Sequence, residues 1–335
     1  MKTIFARAPF EFRYENRSVP KPAKGEVLVK IKTCGICATD FHNVKYYFKT
    51  FSPIGHEGAG EVIEVGPGVP RFKSGDKVAV SGPAKCGKCE LCKKGEARLC
   101  CNGPSVWNSE QMMFSDYMTI DQRLLWSFKK IDYKTAALLE PGCVALELIK
   151  NSDLKKGEKV LIIGMGAIGL MAAQMAISIG VKVYGADISP AKASFASAEK
   201  IGLEGIIKTD EESILEVCSK KKIRRIMITA PPSTILQAVE AITFGGLITY
   251  IGLGHKGQEI ISLDINKFLR KKATLKAVYA VPTLYPKEVM KMLESKIINS
   301  DLIITHTFKF NDIEKAFKTI EEKKGKSIKV MIEFC

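Results

Sequence analysis

The sequence predicts a chain of α/β plus β class, a β-rich region followed by a doubly wound parallel sheet. Three observations predict this. The first ~140 residues carry short alternating runs separated by glycine-rich turns. After about residue 155, apolar runs alternate with stretches of helical periodicity. A glycine-rich turn, "GMGAIG", directly follows the first of those apolar runs. A length of 335 residues, 46% hydrophobic and 26% charged, suits about two globular domains.

In chain order, "GEVLVKIKTCGIC" and "GAGEVIEVGPGV" read as strands with inward Val and Ile, and "KSGDKVAVSG" as a strand behind a turn. "YKTAALLEPGCVALELIKNSD" reads as helical with a break at Pro141. The second region supplies strands at "EKVLIIG", "KVYGADI", "RRIMITA", "GGLITYIGL" and "ATLKAVYA". Between them, "SPAKASFASAEKIG" and "PPSTILQAVEAITF" read as helices. "YPKEVMKMLESKI" and "NDIEKAFKTIEEKKG" are amphipathic helices near the end, and "SIKVMIEFC" is a terminal strand.

"VLIIGMGAIGLMAAQ" sets Gly164, Gly166 and Gly169 in a G-x-G-x-x-G between a strand and a helix. The first glycine permits the tight turn, the second lets a pyrophosphate approach the backbone, and the third lets helix and strand pack closely. The free N–H groups from Gly166 through Ala167, Ile168 and Gly169 would meet the diphosphate. "VKVYGADIS" ends a second strand at Asp187, 18 residues past Gly169. A carboxylate there accepts from ribose hydroxyls and repels a 2′-phosphate, which favours NAD over NADP; Lys192 is the one basic group nearby.

Val160 to Val181 runs 22 residues without a charge, the length of a membrane span, but its glycines fit a buried strand, turn and helix better. The charged N-terminal stretch lacks the apolar run of a secretory signal, so a cytoplasmic, reducing compartment is expected for the ten cysteines. Net charge is +15 and pI about 9.2. The lysines are spread along the chain without interleaved aromatic residues, which points to a solvated surface rather than a nucleic-acid platform.

Two groups of residues could bind metal. Cys86, Cys89, Cys92 and Cys100 follow C-x₂-C-x₂-C-x₇-C in "KCGKCELCKKGEARLC", with Cys101 adjacent. Cys37, in "CGICATDFH", and His56 and Glu57, in "GHEGAGEV", offer a thiolate, an imidazole and a carboxylate, a set that suits Zn²⁺.

Together with "GDKVAV", "EPGCVAL", "GMGAIG" with Asp187, and "LIITHTFKFNDIEKAF", these stretches make the chain resemble the zinc-dependent medium-chain dehydrogenases, the alcohol and sorbitol dehydrogenase superfamily, over nearly its whole length. The resemblance implies a GroES-like β-barrel catalytic domain with an inserted Rossmann domain. The expected boundaries are 1–145 with a zinc lobe at about 84–102, then 146–278, with 279–335 returning to the catalytic domain. It implies two zinc ions and NAD. Cys86, Cys89, Cys92 and Cys100 would hold a structural zinc, and Cys37 and His56 a catalytic one, with Glu57 or Glu140 completing the set. Cys143 is a lesser alternative to Glu140. Asp40 would fix the His56 tautomer, Thr39 would accept the substrate proton and His42 would relay it.

The implied reaction is hydride transfer between NAD and a secondary alcohol of a sugar, polyol or related compound, by a homodimer or homotetramer with no nucleic-acid or membrane partner. Two departures bear on the substrate. Ala280 stands where sorbitol dehydrogenases carry an arginine, and Met112 and Met113 replace a Gly-Gly-Phe lining. A threonine-dehydrogenase-like activity is the alternative enzyme, and a zinc-stabilised nucleic-acid-binding protein the alternative of another class.

Overall fold

The computed structural model of the chain describes residues 1–189, 198–209, 212–323 and 325–334. Two compact units emerge. One comprises Met1–Cys143, Ala280–Lys296 and Ile304–Cys335, the other Val144–Tyr279 and Ile297–Ile303.

The first unit is built on strands β1 (Lys2–Arg7), β2 (Glu11–Asn16), β3 (Glu26–Gly35), β4 (Ser52–Pro53), β5 (Glu57–Val65), β6 (Lys77–Val80), β7 (Tyr117–Asp121) and β8 (Leu125–Ser127). The ten-residue β3 is its axis, because Val27, Val29 and Ile31 alternate into the core while the backbone pairs on both edges. One edge takes β5 antiparallel along its length. The other takes β7 beside Glu26–Lys30 and, further on, the C-terminal strand Lys329–Glu333 beside Thr33–Gly35. A smaller sheet orders β2-β1-β4. Ile4, Ile31, Phe114, Met118, Leu125 and Phe317 fill the shared core.

The second unit holds β9 (Lys159–Ile163), β10 (Lys182–Asp187), β11 (Gly205–Lys208), β12 (Arg225–Ile228), β13 (Leu247–Tyr250) and β14 (Thr274–Ala277). They form one parallel sheet in the order β11-β10-β9-β12-β13-β14. The order reverses beside β9, where a doubly wound sheet presents its ligand crevice. Leu161, Ile163, Ile226, Ile228 and Ile248 are buried between the sheet and helices such as Thr234–Ala241. The uncharged 160–181 stretch is β9, a glycine turn and a helix, and no helix among the described residues is long and apolar enough to cross a membrane. The chain ends on β15 (Ile304–Lys309) and β16 (Lys329–Glu333), back in the first unit.

Three features differ from the sequence reading. The strand β11 was not foreseen, since "GIIK" is short, starts on glycine and lies at a sheet edge. Pro141 does not break a helix. The interruption lies before Leu139, and Pro141 sits in the first turn of Leu139–Asn151, where a missing N–H costs little. Residues 297–303 do not return with the rest of 279–335. Ile298 and Ile303 are buried, and the Asn299 amide donates to Gln174 Oε1 at 2.7 Å in the second unit. Lys192 and most of the expected helix around it lie outside the described residues.

Candidate active site and metal centres

The strand β3 ends at Gly35, and Cys37 caps the short helix α1 (Ala38–His42) that follows. The third residue of that helix, Asp40, is buried and turned back on its own N-terminus, accepting the Cys37 amide at 3.2 Å. Its Oδ1 accepts the Gly55 amide at 3.2 Å and stands 3.5 Å from His56 Nδ1. One carboxylate thus fixes the two chain segments that carry Cys37 and His56. Burial would raise the Asp40 pKa, but His56 and the two amides together hold it below the usual carboxylate range. Burial would lower that of His56, yet Asp40 and Cys37 carry it well above the ordinary imidazole value.

Cys37, His56 and Glu57 bring a sulfur, a ring nitrogen and a carboxylate oxygen within 4.8 Å of one another. Glu57 opens β5 directly opposite Gly35 of β3 and is 2% exposed. Its two oxygens accept from Lys329 Nζ at 2.9 and 2.6 Å, and the same ammonium donates to Ile36 O at 3.2 Å. A Cβ at Gly35 would stand 2.5 Å from Glu57 Oε2, so the bare backbone is what lets the lysine reach across β3. Lys329 had no local signal in the sequence, since strand pairing alone brings it here.

Glu140 is buried in the first turn of Leu139–Asn151. It lies close enough for the charges of His56, Glu57, Lys329 and Asp40 to act on it, but outside the close group of three. Burial, opposed by His56 and assisted by Glu57, pushes its carboxyl up to about 7. Gly82, in the left-handed region at φ +87°, leaves room beside it: a Cβ there would meet Glu140 Oε1 at 3.3 Å. Cys143 is buried and belongs to neither metal-type group.

Thr39 lies in the first turn of α1, partly exposed. His42, at its end, packs edge-on to Phe41 and stacks on Tyr46 at 6.0 Å. Trp107, which the sequence reading missed, sets its ring 5.1 Å from that of His56 while remaining 42% exposed. Met112 and Met113 are buried, and Met113 covers Gly58, where a Cβ would meet its Cε at 2.4 Å. They are core here rather than an exposed lining. Ala280 is likewise buried.

The four cysteines of the lobe form the second group, with one sulfur each within 4.8 Å of the others. The Lys88 and Cys89 amides point at Cys86 Sγ at 3.5 and 3.3 Å, and the Cys86 amide at Cys100 Sγ at 3.2 Å. Those N–H groups hold the Cys86 thiol down at about 6, while burial and the Cys89 thiol push Cys92 up to about 12. Four sulfurs so close cannot all be anionic unless a cation joins them, which is the donor chemistry of a closed tetrahedral zinc site. Cys101 is exposed, faces Asn102 and stays outside the group.

In the second unit, Gly166 caps the helix Ala167–Ser178, so the amides of Ala167, Ile168 and Gly169 form its free first turn. A Cβ at Gly169 would lie 1.9 Å from Gly164 O, whereas one at Gly166 would meet nothing within 4 Å. The loop is therefore closed where it packs and open where a diphosphate would lie. Asp187 ends β10, with Oδ2 accepting the Met165 amide of this loop and Oδ1 the Ser189 amide, both at 2.8 Å.

Comparison with known proteins agrees with this architecture. Residues 23–130 match the alcohol dehydrogenase GroES-like domain and residues 167–295 the zinc-binding dehydrogenase family. The chain is 31% identical to L-threonine 3-dehydrogenase of Pyrococcus abyssi, covering 93% of this chain and 92% of that protein. It is 27% identical to sorbitol dehydrogenase of Halalkalibacterium halodurans, over 96% and 95% respectively. Among solved structures, one described as a short chain alcohol dehydrogenase from Escherichia coli CFT073, complexed with NADH, superposes with a TM-score of 0.88 at 26% identity, covering 100% of this chain and 99% of that one. A GroES-like unit and a Rossmann-type unit in one chain, matched along the whole length by curated dehydrogenases, place the protein in the zinc-dependent medium-chain alcohol and polyol dehydrogenase superfamily.

Proposed function

We propose that this chain oxidises a secondary alcohol of a sugar, polyol or related hydroxy compound, using NAD and two zinc ions of different duty. The observation that carries the reading is the pair of unlike donor groups, one of four thiols and one of thiol, imidazole and carboxylate. A set closed by four thiolates suits a structural ion, and a mixed set with fewer protein donors leaves a position for an exchangeable oxygen. Cys37 and His56 would hold the catalytic ion together with Glu140 or Glu57. Bound there, zinc would supply Lewis acidity toward the alcohol oxygen, and NAD in the second unit would supply the hydride acceptor.

The chain's own residues do the rest. Asp40 Oδ1 faces His56 Nδ1 at 3.5 Å, which would leave Nε2 for the metal. Thr39, two residues past Cys37, takes the substrate hydroxyl proton on Oγ1 as its own hydroxyl proton leaves, and His42, in the last turn of the same helix, carries that proton toward solvent. Trp107 offers an aromatic face beside His56 against which the carbon skeleton can lie. The amides at Ala167 to Gly169 bind the diphosphate, and the acceptor sites left on Asp187 bind the ribose hydroxyls. The assembly is a homodimer or homotetramer in this reading.

A second reading is favoured by the 31% identity to a threonine dehydrogenase, namely oxidation of a β-hydroxy amino acid. A screen of NAD⁺ reduction against polyols, sugars, sugar acids, sugar phosphates and hydroxy amino acids separates the two. Turnover of a polyol-type substrate with none of L-threonine supports the first, the reverse supports the second, and no NADH from any member contradicts both.

A further inference from the structure

The close group contains a thiol, Cys37, and a carboxylate, Glu57, beside the imidazole, but the carboxylate is already engaged. Lys329 Nζ has three N–H donors. Two point at the oxygens of Glu57, at 2.9 and 2.6 Å, and the third at Ile36 O. Both partners are at least nine-tenths buried, so solvent does not compete for either charge. The geometry is fixed by backbone on three strands. The strand β16 places Lys329 through its pairing with β3, Gly35 contributes no side chain, and Glu57 stands opposite Gly35 on β5.

We infer that Lys329 is a positioning residue that reserves Glu57, holding a carboxylate that lies within ligand range away from the catalytic metal and so leaving Glu140 to complete the donor set. The inference rests on the proposed metal site and deepens it. With the ammonium in place, Glu57 and Lys329 together add no net charge to the pocket. Without it, Glu57 is a buried carboxylate whose nearest available cation is the metal, and it enters the coordination sphere.

The probe is Co²⁺ added to zinc-stripped protein, with the Cys37→Ser spectrum subtracted to remove the contribution of the four-cysteine lobe. In the wild-type protein a sulfur-to-cobalt band that depends on Cys37 should appear. Lys329→Met should shift the visible cobalt bands and tighten metal binding on the order of tenfold in chelator competition. Lys329→Met combined with Glu57→Gln should restore the wild-type spectrum, and Lys329→Arg should keep it. Should Lys329→Met fail to fold, Glu57→Gln alone decides the matter, because a reserved carboxylate can be neutralised with the cobalt bands unchanged. A shift in Glu57→Gln, or a Lys329→Met spectrum and affinity equal to wild type, overturns the role of Lys329 while leaving the site intact. Absence of any Cys37-dependent band in the wild type overturns the site reading itself, and the reservation with it.

Discussion

Asp40 Oδ1 stands 3.5 Å from His56 Nδ1 while accepting the Gly55 amide at 3.2 Å, so one carboxylate orients the imidazole and the chain immediately before it. Asp40→Asn keeps the shape and removes the charge that the ring faces. Metal affinity at the Cys37–His56 site should fall roughly 10–100-fold, as for other partners behind metal-binding histidines. Chelator competition measures it, and an unchanged affinity would show that the ring is held by other means.

Glu140→Gln tests the remaining carboxylate at two levels. In the loaded protein, zinc affinity should fall by ~10-fold or more, whereas Cys143→Ser should be mild. In the metal-free protein the effect appears in stability. The folded-state pKa of Glu140, about 7, lies above its ordinary 4.5, so the fold binds this proton more tightly than the unfolded chain. That contribution is fully present below about 4.5 and is lost as the pH rises through about 7. A shift of this size corresponds to roughly 3 kcal/mol. Denaturant melts across that window should show the metal-free wild type losing stability relative to Glu140→Gln. Parallel pH profiles would mean that Glu140 does not titrate there.

The lobe should carry its own ion. Cys86→Ser removes the sulfur that receives two backbone amides and touches Cys92 at 4.0 Å. Metal analysis should fall from two zinc ions per chain to one, with the loss confined to the lobe. Equal zinc content in the variant would contradict the assignment.

Much of this was readable in the sequence because the information is local. A strand, a glycine turn and a helix are contiguous at 159–178, and all four lobe cysteines lie within 86–100. The pairing of Cys37 with His56 needed only a short connection closed by Asp40. What escaped was set by tertiary pairing. Lys329 reaches Glu57 only because β16 joins β3 from the far end of the chain, and Trp107 meets His56 from 51 positions further along the chain. The strand β11 has too few residues to show a period, and its register comes from β10.

In the proposed function Asp187 has two duties that one substitution will expose. Asp187→Ala removes the carboxylate proposed to accept from the ribose and also the bond from the Met165 amide that braces the glycine loop. NADH should bind more weakly, and the preference for NAD⁺ over NADP⁺ should narrow as repulsion of the 2′-phosphate disappears. Fluorescence titration with both reduced cofactors reads the two effects. A wild-type protein with equal affinity for each would contradict the cofactor assignment.

The most direct test of the account is NAD⁺ reduction by the wild-type chain and by Cys37→Ser, with zinc content measured in the same samples. Using the best alcohol from the substrate screen, the wild type should form NADH with two zinc ions bound. Cys37→Ser should retain the lobe zinc, lose the other and lose turnover by at least two orders of magnitude, as removal of a catalytic metal demands. NADH formation that persists in Cys37→Ser with only the lobe zinc bound would contradict it.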